Sequence, residues 1–295
     1  MKTAVASNAP TLRSFLQRAK FALAGLVKQN ATLWSIFWNI GARFDFLLPH
    51  DKSYYGFAHF AISKSNGLFL DVGANNGITA LGVHKVLPAY SIISIEADPS
   101  HQPALERAKR RITKFQYQMI GASNIEQKLV LYTPRLNGRL IHALTSSNLE
   151  YLKVSVTRDF GESKAGTVTY DRHYVKCVPL DQLDLSPDII KIDIEGHELL
   201  ALTGLSNTID RQRPIIMIEF TPGFSEKTVQ FLAAKGYEFF VYKEDEDVFY
   251  YFENDLDTQT WGRGSLQLNL FSIPKERVAG IANYIGANQS RFASI

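Results

Sequence analysis

The chain has 295 residues, of which 45% are apolar and 21% charged, and a net charge of +3. That is the balance of a soluble globular protein, with room for one large domain or one domain plus an extension. The net charge is too small to suggest a nucleic-acid partner, and the single cysteine, Cys177, excludes an intrachain disulfide.

The charge is unevenly spread. Residues 1–66 carry eight Lys/Arg against two Asp/Glu, and the remainder 24 against 27. No compact apolar stretch follows Lys2, so Met1 to Pro10 does not read as a secretory signal. The most apolar region, Phe21 to Leu48, is interrupted by Lys28, Gln29, Asn30, Asn39, Arg43 and Asp45. A spanning helix needs about 20 mostly apolar residues, so no transmembrane segment is expected. Residues 11–27 read as a basic amphipathic helix, with Leu12, Phe15, Leu16, Ala19, Leu23 and Leu26 on one face. It is either a layer packed beside the main sheet or a surface for a partner or peripheral membrane contact. A cytoplasmic location is expected.

From residue 68 the pattern alternates. "LFLDV" predicts a buried strand, "GITALGVHKVL" a helix, "SIISIEA" a strand, residues 99–111 a helix, and "FQYQMIGAS" a third strand. The series resumes with "DIIKIDI", a helix over 196–209, "PIIMIEF", a helix over 224–235 and "YEFFVY". Strands alternating with helices predict an α/β fold with a doubly wound, mostly parallel sheet. Residues 126–178 interrupt it as a β-rich insertion, in which "KLVLY", "SVTRDF" and "TVTYDRHYVKCV" are expected as short antiparallel strands. "KEDED" at 243–247 reads as a solvated turn, and "PKERVAGIANYIGANQ" as a final helix. The expected division is a helical extension over 1–66 and the α/β domain over 67–295.

In such a sheet the ligand lies outside the carboxyl ends of the strands, at the switch point. The turn after the first strand, "DVGANNG", is the expected cradle. Gly73 and Gly77 permit unusual dihedrals and close approach. Asn75 and Asn76 tolerate left-handed backbone. Asp71 would repel a pyrophosphate but suits a cation, such as the ammonium and sulfonium of S-adenosylmethionine. The spacing is G-x-x-x-G, not the G-x-G-x-x-G of dinucleotide sites. Glu96, ending the second strand, can accept the hydroxyls of an adenosine ribose.

"DVGANNG", "IEADPS", "VPLDQL", "IIKIDIEGHELLALTGL" and "RPIIMIEF", in that order across residues 68–220, resemble the FkbM family of S-adenosylmethionine-dependent methyltransferases. "LNLFSIP" at 268–274 resembles the family's closing strand. The resemblance implies a class I, Rossmann-like methyltransferase fold and S-adenosylmethionine as cofactor. It implies cofactor contacts from Asp71, Gly73, Ala74, Asn75, Asn76, Gly77, Glu96, Ala97, Ala122 and Ser123. In "GASN", Asn124 stands where an Asp is expected beside the adenine. The implied acceptor is a hydroxyl on a small molecule, sugar, glycan or secondary metabolite.

"DIIKIDIEGHE" puts Ile190, Ile192 and Ile194 on one face of a central strand and Lys191, Asp193 and Glu195 on the other. Buried charges are costly unless paired or used. Either they form an ion network or they do the chemistry. The expected catalytic residues are Asp193, Glu195 and His197, with the base unassigned among them. Glu219 reaches the same edge, whereas His173, in the insertion, is not expected at the site. Asp193, Glu195 and Glu219 could in principle hold an ion, but their spacing is no metal motif and no metal is expected. Two rivals remain open at this point: an NAD-dependent oxidoreductase, and a non-catalytic module that keeps the fold for binding.

Overall fold

The run Leu68–Val72 forms β1, buried from Phe69 onward. In a computed structural model, residues 51–61, 66–252 and 268–286 are described. The amphipathic pattern of residues 11–27 lies outside them. The chain turns through Gly77, at φ 81°, into α1 (Ile78–Val86) and returns as β2 (Ser91–Glu96). Asp98 accepts from Ser100 N and opens a short 3₁₀ turn leading into α2 (Gln102–Arg111).

The third expected strand divides at Ile120. β3 (Phe115–Met119) stays in the main sheet, while β4 (Gly121–Ala122) pairs with the insertion. The insertion contains β5 (Gln127–Leu136), β6 (Arg139–Leu140), α3 (Leu149–Phe160) and β7 (Thr169–Val178). β5 and β7 pair antiparallel, as expected. "SVTRDF" does not form a strand: it is the C-terminal half of α3. The Asn148 side chain caps that helix by accepting from Glu150 N and Tyr151 N, both at 3.1 Å. Leu152, Val156 and Phe160, four residues apart, are buried together with Leu136 and Ile141. Packing of that stripe outweighs the β-propensity of Val154, Val156 and Thr157.

The series continues through β8 (Ile189–Ile192), α4 (Glu198–Thr203), α5 (Ser206–Gln212), β9 (Ile215–Phe220), α6 (Glu226–Ala234), β10 (Tyr237–Lys243), β11 (Val248–Tyr251) and β12 (Leu268–Pro274). The "KEDED" residues turn between β10 and β11. The expected final helix is a 3₁₀ segment, Lys275–Tyr284.

The main sheet runs β11-β10-β12-β9-β8-β1-β2-β3. β3, β2, β1, β8 and β9 are parallel, β12 runs antiparallel between β9 and β10, and the edge strand β11 is antiparallel to β10. β1 lies between β2 and β8, so the strand order reverses there and a crevice opens at its carboxyl end. Each face of the sheet carries its own apolar core, one around Phe57, Phe69, Phe240 and Phe271, the other around Leu70, Ile190, Ile218 and Leu270. The segment Lys52–Ala61, N-terminal to residue 67, packs into the first of these, with Phe57 wholly buried and its ring centroid 5.3 Å from that of Phe69. Among the described residues no helix is long and apolar enough to cross a membrane.

Candidate functional site

The parallel register sets three polar side chains side by side in the middle of the sheet. Asp71 on β1 stands opposite Ser94 on β2 and Lys191 on β8. Ser94 Oγ donates to Asp71 Oδ2 at 2.9 Å, and Lys191 Nζ donates to Asp193 Oδ2 at 2.9 Å. Asp71 Oδ1 is buried with no hydrogen-bond partner. Burial opposes the charge on Lys191, but Asp193, Tyr54 and Asp71 outweigh it and hold the ammonium above its ordinary value. Burial pushes the Asp71 carboxyl up to about 6, with Lys191 and Ser94 pulling against it.

Above this row the β1 turn takes the shape its residues allow. Gly73, Asn75 and Gly77 all have positive φ. At Gly73 a Cβ would lie 1.9 Å from the Asp193 carbonyl oxygen, so the turn and the end of β8 can meet only through glycine. Glu96, nearly buried, receives Asn75 N at 2.6 Å on Oε2 and Asp98 N at 2.7 Å on Oε1. Burial nonetheless pushes its carboxyl up to about 7.

The crevice is a cleft open to solvent. Of the expected site residues, Gly73, Asn75, Glu96, Ala97, Ala122, Asp193, Glu195 and His197 line it. Asp71, Ala74, Asn76, Gly77 and Ser123 do not reach its wall. Asp71 lies on β1 one residue before the strand ends, and its buried side chain stands on one face of the sheet between Ser94 and Lys191. Asn76 Oδ1 instead accepts from Ile78 N at 3.2 Å, at the start of α1. Gly77 faces Leu105 and Ala108 of α2.

The opposite wall comes from the insertion, which sequence reasoning missed: Leu129, Leu131, His142, Thr145, Ser146, Ser147 and Cys177. Asp98 fastens it, bonding His142 Nδ1 at 3.0 Å and Thr145 Oγ1 at 3.4 Å. Burial opposes ionisation of Asp98, but hydrogen bonds from His142 and Ser100 hold the carboxyl well below the usual carboxylate range. His173 Nε2 lies 3.9 Å from Asp98 Oδ1, off the cleft wall. The one available signal was "ADPS" itself, an Asp followed by Pro and Ser that marks a cap.

At the far end, Glu195 and Gly196 have φ of 55° and 92° and form a tight turn. Glu198 Oε1 accepts from Gly196 N at 3.0 Å and Ile194 N at 3.2 Å. Ser146 Oγ donates to the Glu195 carbonyl, and the Tyr151 ring covers Gly196, where a Cβ would fall 2.9 Å from it. Tyr151 Oη is 3.4 Å from Glu219 Oε2. Asp193, Glu195 and Glu219 bring one carboxylate oxygen each to within 4.8 Å of the others. Burial first, and Asp193 second, raise the Glu195 and Glu219 carboxyls.

A family model described as the Methyltransferase FkbM domain matches residues 71–239, more than half of the chain. The chain belongs to the FkbM methyltransferase family. S-adenosylmethionine, the donor of FkbM enzymes, is therefore its cofactor, and its sheet is the class I, Rossmann-like methyltransferase sheet. No curated protein matches the chain. Solved structures similar to it include methyltransferase FkbM from Methylobacillus flagellatus KT, at 16% identity and TM-score 0.44, over 88% of this chain and 60% of that one. Human methyltransferase-like protein 13 in complex with SAH is 12% identical, with TM-score 0.36, over 83% of this chain and 91% of that one. The plantazolicin methyltransferase BpumL in complex with SAH is 10% identical, with TM-score 0.37, over 88% and 99%. This FkbM chain thus spans 60% of the length of the Methylobacillus protein.

The carboxyls of this FkbM site predict how stability responds to pH. Asp71, Glu96, Glu195, Glu198 and Glu219 are raised chiefly by burial, and His101 and His197 are lowered by burial. Above about pH 4.5 the folded state holds more protons on the five carboxyls than the unfolded chain does, so stability falls as pH rises toward 7. The two histidines act in the opposite sense, but only below about 6.5, and they are fewer. The ligand-free protein is expected to show a higher urea midpoint at pH 5 than at pH 8, and the reverse order contradicts the burial of these groups.

Proposed function

We propose that the cleft holds S-adenosylmethionine and that the chain transfers its methyl group to a hydroxyl of a small molecule, sugar, glycan or secondary metabolite. The observation that carries this reading is one cleft lined by Glu96 at one end and by Asp193, Glu195 and His197 at the other.

The residues present fit the cofactor. Ile95, Ala97, Ile120, Leu129 and Leu131 offer apolar walls for an adenine. The Glu96 carboxylate suits ribose hydroxyls. The carboxyl groups that line the cleft, Glu96, Asp193 and Glu195, suit a ligand that brings positive charge. When bound, the cofactor supplies the electrophilic methyl carbon.

The chain's own residues do the rest. The insertion wall and the β1 turn enclose the reacting groups and limit water. Asp193, held in place by Lys191, and Glu195 and His197 on the tight turn face the volume left for an acceptor. A carboxylate or imidazole there removes the hydroxyl proton.

Incubating metabolite and glycan extracts with the protein and isotope-labelled S-adenosylmethionine should yield a labelled methyl ether in the mass spectrum. Label on nitrogen or carbon alone overturns the hydroxyl acceptor. Calorimetry should detect S-adenosylhomocysteine binding and none for NAD. Glu96→Ala should weaken that binding by about one to two decades, because a hydrogen bond to a charged group contributes roughly 1.5–3 kcal/mol. An unchanged dissociation constant shows that Glu96 does not meet the ligand.

A further inference from the structure

Ser123 is fully buried and turned away from the cleft wall, toward His197. Gln127 Nε2 donates to Ser123 Oγ at 2.8 Å. Asn124 Oδ1 lies 3.4 Å from the same oxygen, and His197 Nε2 also at 3.4 Å. On the other side of the ring, Ser147 Oγ is 3.0 Å from His197 Nδ1.

A serine oxygen accepts twice and donates once. One arrangement uses all of these contacts. Ser123 donates to Asn124 and accepts from Gln127 and from His197 Nε2–H, while Ser147 donates to Nδ1. With the proton on Nδ1, Ser123 must turn its only hydrogen to Nε2, and its bond to Asn124 is lost. Tautomers are assigned from such networks.

We propose that Ser123 and Asn124 are positioning residues that hold His197 as the Nε2–H tautomer, so that Nδ1 is the atom that takes the acceptor's proton. This rests on the methyl-transfer reading above. Ser147 and His197 line the cleft and Ser123 does not, so the ring presents its Nδ1 lone pair on the cleft side. The Ser147 hydroxyl marks where an acceptor hydroxyl docks. An acceptor that displaces it gives its proton to Nδ1 as its oxygen bonds the methyl carbon. The carbon–sulfur bond breaks, and its electron pair stays on sulfur.

The test is a long-range ¹H–¹⁵N correlation spectrum of the His197 imidazole in the full chain at pH 8, with calorimetry against S-adenosylhomocysteine on the same samples. The wild type should show the Nε2–H pattern. Ser123→Ala leaves Nε2–H without an acceptor and should move the tautomer ratio toward Nδ1–H by about tenfold or more. Asn124→Ala, which frees the Ser123 hydrogen to turn to Nε2, should move it the same way and serves if Ser123→Ala does not fold. Ser147→Ala should leave the tautomer unchanged. Affinity for S-adenosylhomocysteine should stay within about threefold throughout. An Nδ1–H pattern in the wild type, or a ratio unmoved in the variants that fold, overturns the proposal. A wild type that binds no S-adenosylhomocysteine overturns the methyltransferase reading, and with it the role given to Nδ1, whatever the tautomer.

Discussion

Asp193→Asn lowers the rate of methyl transfer by about 10²–10³-fold, as loss of a charge positioned beside the reacting groups does, with His197 still taking the proton and cofactor affinity changed only a little. The side chain stands at the carboxyl end of β8, on the cleft wall, with one oxygen committed to Lys191. Asparagine keeps the shape and an oxygen for that bond but loses the charge. Single-turnover transfer of labelled methyl, with calorimetry for S-adenosylhomocysteine, separates rate from binding. Glu195→Gln and His197→Ala form the comparison set, since all three groups share the site. Near-wild-type turnover in all three folded variants means that the end of β8 is structural.

Lys191→Met destabilises the fold by about 3–5 kcal/mol at pH 7, as removal of one partner from a buried ion pair does. Lys191 is 4% exposed and serves Asp193 directly and Asp71 across the strand. Methionine fills the same space among Ile189, Met217 and their neighbours but leaves the carboxylates without a counter-charge. The loss therefore depends on pH. Without Lys191 the Asp71 carboxyl rises further, the folded variant gains protons that the unfolded chain releases, and stability returns as pH falls. Urea denaturation at pH 7 and pH 5 should show the difference between variant and wild type shrinking at the lower pH. A small difference that does not vary with pH means that water or another group already carries the charge.

Both experiments ask about a strand whose oddity is visible without coordinates. "DIIKIDIEGHE" predicts three charges on one face of a buried strand; β8 carries Lys191 at the middle of the sheet but ends at Ile192, and Asp193 and Glu195 stand on the turn that follows. The turn "DVGANNG" is legible for a local reason: glycine and asparagine are the residues that enter left-handed backbone, and Gly73, Asn75 and Gly77 do so. The alternation of strands and helices gives the parallel sheet because each period reports which faces are buried. Local pattern fails at "SVTRDF", whose helix depends on a stripe that packs against Leu136 and Ile141 of a hairpin elsewhere in the chain. It fails again where a residue's direction matters. Asp71 is on the right strand, but its side chain is buried on a face of the sheet beside Ser94 and Lys191 rather than in the cleft. Ser123 is at the expected position but bonds His197, 74 residues away.

The sequence by itself thus determined the strand-and-helix rhythm, the glycine turn and the presence of acid at two strand ends, because each follows from residues within a few positions of one another. Only the tertiary structure decided which of those acids face the cleft, and that the insertion, fastened through Asp98 to His142 44 residues later, builds the opposite wall. Those outcomes depend on strand register and on contacts between distant segments, and no local preference of a residue encodes which distant partner the fold will bring to it.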